Sequence, residues 1–167
     1  MDDINNINAE NFYSFESVWR RITENENEIE IKTETIAPFN ETETLRGFIS
    51  DEARDATFYN IFAVNFPKYR QTILGVRDDE REHRRKLELE YFLLTGEIYV
   101  PREPLILIDG ALGSLRQAYR GEIAGYEAYS AAAKQSGAGV LQTLYIELAR
   151  CEMEHAGIMR RLIEKNF

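Results

Sequence analysis

Four long segments of the sequence each carry an apolar stripe at helical spacing, and one glutamate interrupts each stripe near its middle. We expect these segments to be helices over residues 42–66, 68–95, 111–135 and 140–165. An isolated carboxylate on a buried helix face is costly, because its charge loses water without gaining a partner. The glutamates therefore require a shared counter-charge. They are Glu52, Glu80, Glu122 and Glu152.

Both histidines of the chain follow one of these glutamates by three residues, as Glu80-x-x-His83 and Glu152-x-x-His155. At this spacing the two side chains project from the same helix face. The pairs could otherwise be surface contacts, but their stripes are apolar above and below. The histidines are therefore expected to face the bundle interior beside the glutamates.

The two halves of the chain repeat the same arrangement at an offset of about 70 residues. A tyrosine follows each lone glutamate by seven residues, Tyr59 after Glu52 and Tyr129 after Glu122. We expect both tyrosines to be buried and their hydroxyls to hydrogen-bond ligand carboxylates. A two-fold arrangement of the helix pairs would bring four carboxylates and two imidazoles together at one depth.

Such a set of oxygen and imidazole ligands suits two divalent ions, such as iron or manganese. Two cations would also neutralise the four carboxylates together. The single cysteine, Cys151, rules out a four-cysteine zinc or iron–sulfur site within this chain. The predicted metal ligands are Glu52, Glu80, His83, Glu122, Glu152 and His155.

The lengths of the connections indicate the topology. Short turns join the first helix to the second and the third to the fourth, so each pair should form an antiparallel hairpin. The connector from Gly96 to Gly110 could extend over about 50 Å, which exceeds the length of about 37 Å expected for each helix. We therefore expect an all-α four-helix bundle with one long crossover between helices two and three. Ile106, Leu107 and Ile108 should lie against the bundle.

The charge of the chain is concentrated at its N-terminus, where residues 1–43 carry a net charge of −8 out of −9. We predict an acidic N-terminal extension over 1–43 and the bundle over 44–167. The extension either packs along the body or docks another subunit. The acidic balance argues against a nucleic-acid or anionic-membrane partner. No apolar run spans a membrane and no signal peptide is evident, so a cytoplasmic location is expected.

Residues 45–165 resemble the ferritin-like superfamily of carboxylate-bridged di-iron proteins, and most closely its rubrerythrin branch. The resemblance implies a cofactor of two iron ions, with manganese possible. It also implies an oxidoreductase that reduces hydrogen peroxide or dioxygen. The residues that carry the resemblance are the six predicted ligands, with Tyr59 and Tyr129 in the tyrosine positions.

Two features depart from rubrerythrins. This chain has no Cys-x-x-Cys rubredoxin domain, so the resemblance implies an external electron donor such as a rubredoxin. Rubrerythrins also carry a carboxylate three residues after the third-helix glutamate, where this chain has Gly125, which argues against rubrerythrin-type peroxidase activity specifically. The matching first-helix residue is Asp55, expected as a seventh ligand or, more readily, as a hydrogen-bond acceptor for a ligand histidine or a solvated residue.

Other functions fit the same ligand set. Within the superfamily these are a ferroxidase or iron-handling protein, a manganese catalase-like enzyme and a quinone-modifying hydroxylase. A non-enzymatic alternative is a metal-stabilised scaffold that interacts through its acidic extension. A homodimer is expected by analogy with ferritin-like bundles, which often pair through helix faces.

Overall fold

A computed structural model describes residues 39–102 and 104–166 of the chain. These residues form four α-helices and no β-strand. The helices are α1 (Glu41–Asn65), α2 (Arg70–Thr95), α3 (Gly110–Gln135) and α4 (Val140–Asn166). Most of the predicted acidic extension lies outside the described residues, so its packing or docking and the division at residue 43 stay predictions.

Local sequence signals account for the ends of the first helix pair. The Asn40 side chain accepts a hydrogen bond from the Glu43 amide at 3.2 Å, as expected for an N-cap. The chain leaves α1 at Phe66, just before Pro67, and a 3₁₀ turn over Pro67–Tyr69 leads into α2. Gly96 ends α2 in the left-handed conformation, with φ of 74°, which glycine adopts without strain.

The helices pack as two hairpins, α1 with α2 and α3 with α4, and the connector between α2 and α3 crosses the bundle. Tyr99 packs near one end of the bundle, whereas Ile106 and Ile108 pack near the other. The all-α bundle with a long crossover is therefore confirmed. Leu107 was expected against the bundle but is exposed, because side chains alternate in an extended segment.

The core consists of two apolar clusters. In α1 the first cluster ends at Ile49 and the second begins at Phe58, which leaves Glu52 between them. The first cluster is Leu45, Phe48, Ile49, Leu87, Tyr91, Tyr129, Ala132, Ala133, Leu144, Tyr145, Leu148 and Ala149. The second cluster is Phe58, Tyr59, Phe62, Ala63, Tyr69, Ile73, Val76, Leu115, Ala118 and Met159. None of the helices within the described residues is long and apolar enough to cross a membrane.

Candidate metal centre

The six predicted ligands lie together between the two apolar clusters, each on the inner face of its helix. Each of the six residues exposes no more than 6% of its surface. Each helix contributes one glutamate, and α2 and α4 add the histidines. The four glutamates are therefore buried as the apolar stripes predicted, and they carry the free-energy cost of lost hydration unless a counter-charge is bound. The two histidines are buried with them.

The side chains form two overlapping groups, and within each group four ligand atoms lie within 4.8 Å of one another. Glu80 and Glu152 belong to both groups, whereas each lone glutamate and each histidine belongs to one. The arrangement suits a pair of ions that share two carboxylates. The groups are Glu52, Glu80, His83 and Glu152, and Glu80, Glu122, Glu152 and His155.

Both imidazoles turn the same ring nitrogen towards the carboxylates. His83 Nδ1 lies 3.1 Å from Glu80 Oε2 and 3.5 Å from Glu152 Oε1. His155 Nδ1 lies 3.0 Å from Glu80 Oε1 and 3.6 Å from Glu122 Oε2. The two rings are nearly parallel, with centroids 5.7 Å apart. Each histidine can therefore offer Nδ1 to one ion of a pair.

The two tyrosines reach across the bundle to the lone glutamates. The Tyr59 hydroxyl donates a hydrogen bond to Glu122 Oε1, and the Tyr129 hydroxyl donates one to Glu52 Oε1. Both tyrosine rings are buried, as predicted. Each hydroxyl therefore fixes one carboxylate oxygen and leaves the other available to an ion.

Several ligand atoms lie close to one another but make no hydrogen bond of acceptable geometry within the described residues. They are one carboxylate oxygen on each of the four glutamates and Nδ1 of His155. Buried polar atoms are rarely left unpaired, because each loses its hydration free energy without replacement. Divalent cations would supply the missing partner for all of these atoms, so the residues present fit a two-metal group.

Burial and mutual repulsion change the ionisation of the carboxyls. Burial raises the pKa of Glu52 to about 8 and that of Glu152 to about 10. Burial also opposes ionisation of Glu80, but its contacts with His155 and His83 outweigh that effect and lower its pKa to about 2. Without metal, the site therefore retains protons on two carboxyls while the shared Glu80 is ionised.

The histidines supply positive charge when no metal is bound. Burial disfavours the imidazolium of His155, but contacts with Glu122 and Glu80 outweigh it and raise the pKa to about 11. The pKa of His83 is likewise raised well above its usual value by Glu152, Glu52 and Glu80, against the effect of burial. The protein therefore balances its carboxylates with protons, which incoming cations would displace.

Two acidic residues lie around the centre, and the sequence had drawn attention to only one of them, Asp55. Asp79 Oδ2 lies 3.2 Å from His155 Nε2, so Asp79, rather than Asp55, is the acceptor that orients a ligand histidine. Asp79 was not singled out in the sequence, because it precedes Glu80 on the outer side of α2. Asp55 belongs to neither ligand group and interacts with Arg54, whose Nε lies 3.3 Å from Asp55 Oδ1.

A cavity of about 220 Å³ between α1 and α3 reaches the centre from one side. Tyr59 and Glu122 form part of its wall, and Gly121 and Gln117 lie nearer the surface. Its volume would admit molecules the size of water, dioxygen or hydrogen peroxide. Glu122 is therefore a predicted ligand that borders a cavity open to the surface.

Comparison with known proteins supports the same family. The rubrerythrin family model matches residues 114–167, which include Glu122, Glu152 and His155. No curated protein and no solved structure matches the chain. The matched segment covers most of α3 and all of α4, and the first helix pair repeats its ligand pattern. The family match over about a third of the chain supports a rubrerythrin-like protein, and the four packed helices are consistent with a ferritin-like four-helix bundle.

Proposed function

We propose that this protein is a di-iron or di-manganese carboxylate oxidoreductase that reduces hydrogen peroxide or dioxygen with electrons from an external donor. The observation that carries the proposal is the pair of buried ligand groups that share Glu80 and Glu152. When bound there, two redox-active ions would supply two electrons to a small oxidant. Reduction of a two-electron oxidant such as hydrogen peroxide would use one electron from each ion, so both ions would be needed.

The side chains of this chain would hold such ions and limit what reaches them. Glu80 and Glu152, which belong to both groups, would serve both ions, while Glu52 with His83 and Glu122 with His155 would each hold one. The apolar clusters on either side exclude bulk water, which strengthens electrostatic interactions inside the site.

The tyrosines and the cavity support a small substrate. Tyr59 and Tyr129 hold one oxygen of each lone glutamate, so these carboxylates keep their orientation when the charge of the site changes. The cavity beside Glu122 is too small for a bulky organic substrate but sufficient for a peroxide. This size favours an oxidant-reducing enzyme over a hydroxylase of large apolar substrates.

The test is oxidation of the metal-loaded protein. The protein is loaded anaerobically with ferrous iron, and its oxidation by one equivalent of hydrogen peroxide or dioxygen is followed by stopped-flow absorbance. We expect oxidation faster than that of free ferrous iron, and repeated turnover when a reduced rubredoxin is supplied. Glu80→Gln should lose bound iron and the reaction, whereas Glu82→Gln, at an exposed position on the same helix, should retain both.

The experiment distinguishes failure of the proposed activity from failure of the metal centre. A wild-type protein that holds two ions per chain but oxidises no faster than free ferrous iron would refute the oxidoreductase and leave a metal-stabilised scaffold. Oxidation that deposits ferric product without consuming electrons from the donor would instead indicate a ferroxidase.

A further inference from the structure

Gly125 in α3 lies unusually close to a predicted ligand on α4. A Cβ atom at this position would lie 2.8 Å from Glu152 Oε2, 3.2 Å from its Cδ and 3.3 Å from its Cγ. The backbone does not require glycine there, because the positive φ angles within the described residues occur only at Gly96 and Gly110. Glycine inside a helix is also unfavourable relative to alanine. The close approach of Glu152 is therefore what the glycine accommodates.

The other glycines inside the four helices do not show this contact. A Cβ atom would meet nothing within 4 Å at Gly47, Gly75 or Gly121. At the two remaining interior positions the closest atom belongs to a flexible surface side chain, Asp109 at 3.6 Å from Gly113 and Arg161 at 3.3 Å from Gly157. Close approach to a buried carboxylate thus distinguishes Gly125 from every other interior helix glycine in the described residues.

The carboxylate that would be displaced is one that both ligand groups use. Glu152 belongs to both groups, and its other oxygen, Oε1, lies 3.5 Å from His83 Nδ1. Three atoms of the Glu152 side chain lie within 3.3 Å of the Cβ position, so a methyl group would move the whole carboxylate and not only rotate it. A displacement here would therefore disturb both metal positions.

The corresponding position in the first half of the chain carries a side chain. Asp55 lies three residues after Glu52, as Gly125 lies three residues after Glu122. Asp55 is half-buried, interacts with Arg54 and stands outside both ligand groups. The two halves of the centre are thus unequal at this point, because α1 carries a side chain where α3 carries none.

We propose that Gly125 is a positioning residue for the two-metal centre: its missing side chain gives the Glu152 carboxylate the space from which it serves both ions. The same contact leaves no room for an additional ligand side chain from α3 at this position. This inference rests on the proposed metal centre and deepens it, because it identifies what determines the number and arrangement of ligands on the α3 side.

The test compares Gly125→Ala with Gly75→Ala, which makes the same substitution at an open position of α2. Alanine is favoured over glycine inside a helix, so apo Gly75→Ala should melt somewhat above the apo wild type. The contact with Glu152 offsets that gain at the other position, so apo Gly125→Ala should melt no lower than the apo wild type. We expect Gly125→Ala alone to bind metal about 10- to 100-fold more weakly. Its cobalt-loaded form should also show an altered visible absorption spectrum, which reports ligand geometry directly.

Three other outcomes would overturn part of the reasoning. Equal affinities and identical cobalt spectra for the two variants would refute the positioning role. An apo Gly125→Ala protein that melts well below the apo wild type would show that the glycine serves the fold instead. A wild-type protein that binds no cobalt or iron would refute the metal centre itself, which keeps the two failures distinct.

Discussion

The hydrogen bonds that Tyr59 and Tyr129 donate should increase the affinity of the centre for metal by a measurable amount. Tyr59→Phe and Tyr129→Phe each remove one hydroxyl and leave the ring in place. The hydroxyls donate to Glu122 and Glu52, and each of these carboxylates is only 4% exposed, so little solvent is available to replace the donor, least of all at Glu52, which does not line the cavity beside Glu122. A hydrogen bond to a charged buried group contributes about 1.5–3 kcal/mol. This corresponds to about 10- to 100-fold in metal affinity, the range expected for groups that orient metal ligands.

The assay is competition for ferrous iron or cobalt against a chelator, together with urea unfolding of the metal-free proteins. Tyr145→Phe is the matched control, because Tyr145 is fully buried and stacks on Tyr129, yet its hydroxyl donates no hydrogen bond to a predicted ligand. The control should keep wild-type metal affinity, and its urea unfolding measures what the loss of a buried hydroxyl does to the metal-free fold. If the Tyr59 and Tyr129 variants match it, the hydroxyls do not support the ligands and the reasoning fails.

Three further perturbations test other parts of the centre. Metal binding should displace about four protons at pH 7, from the two histidines and the two glutamates with raised pKa values. Calorimetry in buffers of different ionisation enthalpy counts these protons. A binding enthalpy that does not depend on the buffer would contradict this protonation. The number of displaced protons should fall as pH rises through about 8, where the first carboxyl ionises in the metal-free protein, and apparent affinity should rise with pH. Asp79→Ala should weaken metal binding about tenfold, because it removes the acceptor that orients the His155 ring, whereas Asp78→Ala should not. Equal metal affinities for the two variants would refute the orienting role of Asp79. Gly121→Leu should slow oxidation by peroxide at unchanged metal content, because the new side chain narrows the cavity beside Glu122. Gly75→Leu is the control, and equal oxidation rates for the two variants would show that peroxide reaches the centre by another route.

The clustering of the six ligands was predictable because the chemistry of the side chains is repeated. A glutamate within an apolar stripe indicates burial, and two Glu-x-x-His pairs in register with two lone glutamates indicate a shared site. The helix ends followed from Asn40, Pro67 and Gly96, each of which has a local conformational preference. These signals are local and need no knowledge of which helices are neighbours.

The contacts between helices required the structure. Seven residues of helix span about 10.5 Å, so Tyr59 cannot reach the glutamate on its own helix. Its partner Glu122 depends on the order of helices around the bundle. The contacts of Asp79 with His155 and of Gly125 with Glu152 likewise depend on the spacing between helices. Helical periodicity indicates which face is buried but not which neighbour that face meets.

The edges of the apolar stripes were also less certain than their centres. Helical spacing would place Tyr126 and Leu94 on the apolar stripes of α3 and α2, yet 37% of Tyr126 and 51% of Leu94 are exposed. Leu94 lies in the last turn of α2, and Tyr126 lies just outside the arc of α3 that the buried Glu122 and Tyr129 share. The four glutamates lie inside the buried arcs of their helices.

The metal content of the purified protein tests the central claim most directly. The protein would be produced aerobically with iron and manganese both supplied, and elemental mass spectrometry would count the ions per chain. Two overlapping ligand groups predict about two ions of iron or manganese per chain. Less than about a tenth of an ion, not restored by anaerobic loading with ferrous iron, would contradict a metal centre at these six residues.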